Sequence, residues 1–366
     1  MFRLTELDRR RIANFRANRR AIWALRLFAV IFTIALCAEV VANDRPIAVK
    51  HDGEWLYPIW NEYPESRFGG DEGIVKVDYH DPVIQCLIRT GAGIDPCLDE
   101  ADGIARAEVP EGKSAGWLLW PPIPYSYSYV DKAVEYAPYP PGGRHWLGTD
   151  DQARDVVAKI IYGFRLSVLF GFAVALVSAV IGIFLGALQG FFGGWVDLSL
   201  QRFEEIWTSL NRLYVILIIA AVITPTPLVL FCIFIAFSWT DLTGVVRAEF
   251  LRARNFEYVQ AARALGVSDF KIMFRHILPN AMVATITLLP FVLTGSIGLL
   301  TGLDFLGFGL GSGYPSLGEL ALQGNRNPAQ IWLALTAFGT FVVMLSLLVF
   351  IFEGIRDAFD PRKTFG

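Results

Sequence analysis

Six apolar runs limit what this chain can become: 21–42, 166–190, 206–224, 228–246, 282–303 and 330–353. A helix needs about 20 apolar residues to cross roughly 30 Å of hydrocarbon, and it satisfies its own backbone hydrogen bonds there. Only 18% of the 366 residues are charged and 54% are apolar, against about 25% charged in an average soluble domain. The pattern predicts an all-α integral membrane protein with about six transmembrane helices and a large extracytoplasmic segment after the first. Two runs carry blemishes. Glu204, Glu205, Asn211 and Arg212 crowd the start of the third, and Asp241 sits near one end of the fourth.

Lys and Arg near span ends mark the cytoplasmic side. The first twenty residues hold seven arginines, Arg3, Arg9, Arg10, Arg11, Arg16, Arg19 and Arg20. Residues 1–20 therefore read as a cytoplasmic basic N-terminus and 21–42 as the first anchor. Six crossings return the tail, 354–366, to the same side, where Arg356, Arg362 and Lys363 lie. The stretch 247–281 falls inside as well, with Arg247, Arg252, Arg254, Arg263, Lys271 and Arg275, whereas 304–329 has only Arg326. A basic start before an apolar run also suits a cleaved signal peptide. The run is longer than a signal core, and Leu36 before Cys37 does not suit a lipoprotein-type cleavage site, so it is read as an uncleaved anchor.

The largest block between spans, 43–165, then lies outside. From 43 to 150 it carries 18 Asp and Glu against nine Lys and Arg. It is rich in Pro, Tyr and Trp (Trp117, Trp120, Pro121, Pro122, Tyr125, Tyr127, Tyr129), which predicts irregular structure with a few short strands or helices. The four cysteines, Cys37, Cys86, Cys97 and Cys232, show no C-x-x-C spacing, against a zinc site or redox dithiol. Cys86 and Cys97 are the pair in the oxidising compartment. A disulfide is expected there, with two free thiols as the alternative. His51, His80 and His145 lack ligand spacing, so no metal is expected. Gly112-Lys113-Ser114 echoes a phosphate-binding loop, but Ala107 stands where the loop needs its first glycine, so no ATP site is expected in this chain. No nucleophile–base motif stands out either, and no catalytic residue is assigned.

The stretch Glu257–Met282, EYVQAARALGVSDFKIMFRHILPNAM, is polar and basic between two apolar runs. Phe256–Leu265 suits a short helix, with Gly266 at the left-handed position that ends it. Ser268 suits an N-cap and Asp269 a first turn, for a second helix through Ile277. Pro279 marks the switch into the next span. Arg263, Lys271 and Arg275 are free to face water or an acidic partner. A plain connector and a docking site for a water-soluble partner both fit these residues.

Ala261, Ala262, Gly266, Leu278 and Pro279 also stand at the spacing of a known signature: Glu-Ala-Ala, three residues, Gly, nine residues, Ile-x-Leu-Pro. The stretch resembles the coupling loop of binding-protein-dependent ABC importer permeases. Gln260 takes the Glu position and His276 the Ile position, with Ile277 one step late. Other blocks are similar to the oligopeptide/dipeptide/nickel branch: Leu147-Gly148-Thr149-Asp150, Arg154-Asp155-Val156, Leu303-Asp304-Phe305-Leu306-Gly307-Phe308-Gly309 with Pro315-Ser316-Leu317-Gly318, and the tail Arg356-Asp357-Ala358-Phe359-Asp360-Pro361. The acidic outer block and the arginine-rich start resemble Yej-type peptide and microcin C permeases. Ala153 replaces a common Gly, and Asn211 stands where relatives carry Pro.

The resemblance implies a type I ABC importer permease fold, with a core at 166–353, in a bacterial cytoplasmic (inner) membrane. It implies a subunit moving peptides, catalytically silent itself, with ATP and Mg bound by two partner ATP-binding subunits and no cofactor in this chain. It further implies a second, homologous permease subunit, a periplasmic or lipid-anchored peptide-binding protein, and no nucleic acid. Gln260, Ala261, Ala262, Gly266, Leu278 and Pro279 would form the ATPase-coupling loop. A membrane-anchored sensor or scaffold is the rival reading, but no signalling domain is recognisable. A secondary transporter is disfavoured by the absence of paired charges within the spans.

Inside the spans, Ser178, Gly182, Gly186 and Gly190 recur every four residues, which permits close helix contact. Packing inside one subunit is preferred over a seam between subunits. Pro290, followed by Gly295, Gly298 and Gly302, can bend the fifth span. Asp241 is expected to pair with cytoplasmic charges such as Arg247, and Arg26 and Glu39 to snorkel to the interface.

Overall fold

The computed structural model describes residues 6–70, 76–91, 94, 97, 115–311 and 313–359. Arg3, Ala107, Gly112-Lys113-Ser114, Asp360, Pro361, Arg362 and Lys363 lie outside the described residues. In chain order the principal helices are α1 (Glu6–Ala17), α2 (Arg19–Leu36), α3 (Ala38–Val41), α4 (Pro82–Thr90), α5 (Val156–Phe192), α6 (Gly194–Ser209), α7 (Arg212–Val222), α8 (Pro227–Ser238), α9 (Thr240–Ala253), α10 (Glu257–Ala264), α11 (Asp269–Phe305), α12 (Leu317–Arg326) and α13 (Ile331–Phe359). The chain divides into two compact units: Phe164–Arg326 with both terminal stretches, and Thr33–Gly163 with Asn327–Leu333.

Among the described residues, four helices are long and apolar enough to cross a bilayer: α5, the continuous α8–α9 (Pro227–Ala253), α11 and α13. The expected third span, 206–224, is not one straight helix. α6 and α7 meet at 67°, and the 11 residues of α7 reach only about 16 Å by themselves. Asn211 makes the corner. Its side-chain oxygen accepts from the N–H of Leu213 at 3.1 Å and of Tyr214 at 3.5 Å, capping α7 as a fresh helix. The expected first span, 21–42, is also altered. α2 has 18 residues, three of them arginines (Arg19, Arg20, Arg26), and breaks at Cys37 before the short α3. Among the described residues the six expected spans thus become four, or five with the bent pair, and α2 with its three arginines is not one of them.

The small-residue stripe of α5 sets how the spans pack. A Cβ on Gly182 would lie 2.7 Å from the Trp239 carbonyl oxygen, one on Gly186 2.6 Å from that of Thr243, and one on Gly190 2.5 Å from that of Arg247. Each step of four along α5 meets a step of four along α8–α9 in the same direction, so the two helices run parallel. The bent pair between them therefore carries the chain back across and counts as a crossing. α12 packs on the far end of α11, where a Cβ on Gly318 would lie 2.2 Å from the Thr301 oxygen. α13 starts beside α12 and crosses back, bringing Gly354 against Ala21 of α2. The start of α2 and the ends of α9 and α13 thus share one side with α10.

Charges in this unit are paired between helices. Asp241 bonds to Arg212 at 2.9 Å, and Arg247 bonds to Asp197 at 2.8 Å. Asp241 is thus charge-paired as expected, but with Arg212 and not with Arg247, because six residues at about 100° each leave Asp241 and Arg247 about 120° apart around the helix. Buried Asp304 organises the turn from α11 to α12, accepting from the Leu310 N–H at 2.7 Å and from the Ser316 hydroxyl. Ser316 in turn accepts from the N–H of Gly318 and Glu319. The Leu303–Gly309 and Pro315–Gly318 blocks are thereby one hydrogen-bonded turn.

The second unit is small and largely irregular. Strand β1 (Ala48–His51) lies between β2 (Glu54–Leu56) and β3 (Trp117–Leu119), antiparallel to both. α4 begins at Pro82 with Asp81 capping the Val83 N–H and buries Ile84, Leu87 and Ile88 beside Val49 and Phe68. Cys86 and Cys97 are joined by a disulfide, their Cα atoms 5.7 Å apart. Before α5 a charge cluster is closed off from solvent. Asp150 bonds to Arg154 at 2.9 Å and Lys159 at 2.6 Å. His145 sits between Asp155 at 2.8 Å and Asp131 at 3.1 Å, and Asp155 also caps the Ala158 N–H.

Burial would push the His145 pKa down, but its bonds to the two aspartates outweigh that and lift it to about 9. Stability linked to this proton is then fully present below the ordinary histidine value of about 6.5 and is lost as pH rises through about 9. Thermal unfolding followed by Tyr and Trp fluorescence should show this unit weakening across that window, and His145→Asn should flatten the dependence. Gly186→Leu should destabilise the membrane unit by about 3 kcal/mol or more, since the new side chain meets backbone that cannot move aside. Unfolding in detergent against Gly244→Leu, which faces open space, checks it.

Candidate functional site

The stretch from α9 to α11 holds a two-faced helix. α10 starts after Phe256, whose backbone is extended, and the Gln260 side chain donates back to the Asn255 carbonyl at 3.3 Å. At its end the Val267 N–H bonds to the Ala262 carbonyl at 3.1 Å and the Gly266 N–H to that of Arg263 at 2.9 Å. These two bonds make a Schellman ending. Gly266 has φ +76, a conformation that only glycine adopts freely.

Val259 and Ala262 face inward, into a cluster with Ala187, Phe191, Phe250, Met273 and Ile277. Gln260, Ala261, Ala264 and Leu265 face outward. Leu265 is 83% exposed, and Phe256, Tyr258, Phe270 and Phe274 in the same stretch are exposed too. A rigid knob with an apolar, aromatic surface can seat in a groove of a partner, because its backbone groups are already satisfied.

The six residues singled out from the sequence divide by role. Gln260, Ala261 and Gly266 are exposed, Ala262 is buried, Leu278 is partly buried against the same cluster, and Pro279 is exposed within α11, just after its π turn. Three local expectations need correction. Ser268 stands at the N-cap position with extended backbone, but its side chain caps nothing. No separate second helix ends at Ile277. The chain runs on from Asp269 to Phe305, with a π turn over Ile272–Ile277. That wider turn makes room for Pro279, which lacks an N–H and would clash in a regular α turn. Arg263 is not free either: its guanidinium lies over the Phe191 ring at 5.0 Å and reaches Asp269 at 3.7 Å. Both partners of that ion pair are half exposed, so it contributes well under about 1 kcal/mol. Leu265, Phe270 and Phe274 lie outside the signature. The available signal was apolar residues beside a helix-ending glycine in an otherwise polar stretch.

With this geometry in view, comparison with known proteins identifies the class. Residues 178–365, just over half of the chain, match the family described as binding-protein-dependent transport system inner membrane component. The chain is 50% identical, over 98% of its length and 93% of the relative's, to the peptidoglycan transport system permease protein YejE of Agrobacterium fabrum. It is 47% identical, over the full length of both, to the inner membrane ABC transporter permease protein YejE of Escherichia coli. It is 36% identical over 65% of this chain and 82% of the oligopeptide transport system permease protein OppC of Lactococcus lactis. A solved structure of the inward-facing MetNI methionine ABC transporter is 16% identical, with a TM-score of 0.47, over 56% of this chain and 97% of that one. The chain belongs to the binding-protein-dependent ABC transporter permease family and is a multi-pass membrane protein.

The split within α10 predicts opposite consequences for two neighbouring alanines. Ala262→Asp buries a charge and should lower unfolding stability by about 3 kcal/mol or more. Ala261→Asp should stay within about 0.5 kcal/mol of the parent. Detergent unfolding of both variants measures the difference.

Proposed function

We propose that this chain is the permease subunit of an ATP-driven importer for peptides, and that α10 receives the work of a partner ATPase. The observation that carries the reading is the outward face of α10: an exposed apolar knob on a helix locked at both ends and anchored to α5, α9 and α11. A push on that knob is delivered to three spans together. Gln260, Ala261 and Gly266 belong to the contacting face in this reading, while Ala262, Leu278 and Pro279 hold the helix to the spans. The names of the relatives, which speak of peptidoglycan and oligopeptide transport, support a peptide-class substrate.

ATP and Mg then bind in two partner ATP-binding subunits, and this chain holds no cofactor. A second, homologous permease completes the path, and a periplasmic or lipid-anchored binding protein delivers peptide to the outer face. The arginines of the first twenty residues favour a cytoplasmic N-terminus. α10 shares that side, so in this reading the knob lies where ATP is available. The membrane is the bacterial inner membrane, and the small unit around β1 and α4 faces the periplasm.

Leu265→Asp tests the reading. The substitution lies on the exposed face and should leave abundance and insertion unchanged, yet reduce ATP-dependent peptide uptake into vesicles by tenfold or more, the order expected from losing one buried apolar anchor at an interface. Undiminished uptake at normal abundance contradicts a coupling role.

A further inference from the structure

We propose that the groove between α2 and α13 binds an anionic phospholipid, its headgroup held by Arg20 and Arg26. The groove has a volume of about 500 Å³, and its lining includes Arg20, Trp23, Arg26, Leu27, Leu347 and Phe350. All six belong to the same compact unit. Its walls are apolar and open to the outside: Trp23 is 66% exposed and Leu27 50%. Such a surface suits acyl chains, and the indole of Trp23 suits the headgroup level of a bilayer.

The two arginines make the groove selective. Arg26 lies six residues beyond Arg20, about 9 Å along the helix axis and about 120° around it, and both side chains line the groove. A cation at that depth is costly unless it reaches the surface or meets a negative charge. Its guanidinium lies over the Trp23 ring at 5.2 Å, and among the described residues neither Arg26 nor Arg20 forms an ion pair. A lipid phosphate fills that place, with its acyl chains lying in the apolar groove below. Arg9, Arg10, Arg16 and Arg19 are exposed in the same stretch, so the approach to the groove is strongly positive as well. A zwitterionic lipid offers the phosphate but no net negative charge, so the site discriminates by headgroup charge. The lipid belongs to the leaflet on the N-terminal side, whichever way the protein is inserted.

The full-length chain, purified with its native partner subunits, is offered equal amounts of phosphatidylglycerol and phosphatidylcholine with matched acyl chains, and bound lipid is counted by native mass spectrometry. The wild type should retain phosphatidylglycerol preferentially. Arg20→Gln with Arg26→Gln should lose that preference by about tenfold, the order expected from two cations beside an anionic headgroup. Arg20→Lys with Arg26→Lys should keep most of it, which separates loss of charge from loss of fold. Arg9→Gln with Arg10→Gln should leave it unchanged. Equal retention of both lipids by the wild type overturns the proposal. So does an equal loss in the Arg9 and Arg10 variant, which would mean a diffuse basic surface. A groove variant that keeps its lipid preference but loses a co-purifying subunit also overturns it, because the groove would then belong to a protein.

Discussion

Backbone-to-backbone contact between α5 and α8–α9 is the constraint on which the rest of the membrane unit depends. At Gly182, Gly186 and Gly190 the neighbour is a carbonyl oxygen less than 3 Å from where a Cβ would stand. Only glycine permits that approach, and membrane helices, which gain little from the hydrophobic effect between them, rely on such close packing. The parallel alignment that follows obliges α6 and α7 to return the chain across the bilayer. It also brings Ala187 and Phe191 of α5 beneath α10. The knob therefore rests on the same helix pair that the glycines hold together.

α10 is small, and its order is supplied by the residues it packs against. Eight residues are too few for a stable isolated helix. Its order comes from Val259 and Ala262 in the core, from the Gln260 bond to Asn255, and from the glycine ending. Movement at Leu265 is then shared with the whole cluster rather than absorbed by local bending. The π turn below it couples α10 to α11 without a break in the helix.

Much of this was legible in the sequence because membrane spans announce themselves by length and apolarity alone. The helix-ending role of Gly266, the intrasubunit use of the α5 stripe and the polar stretch between two spans all follow from local rules. What stayed hidden depended on partners distant in sequence. Asn211 could be read as a departure, but not as the cap of a bent crossing. Asp241 and Arg247 looked close along the chain, yet each is paired with a residue roughly thirty to fifty positions away. His145 looked like a stray histidine and is clamped between two aspartates. Within the candidate site, neighbouring Ala261 and Ala262 differ only in which side of a helix they occupy, which a motif cannot express.

The central claim, that the exposed face of α10 seats in an ATPase subunit, is tested most directly by site-specific photocrosslinking in assembled transporter. A photoreactive residue at Leu265 should crosslink to the ATP-binding subunit, and one at Trp55 in the small unit around β1 should not. Crosslinking from Leu265 only to lipid or to the second permease, with none to the ATP-binding subunit, would contradict the account.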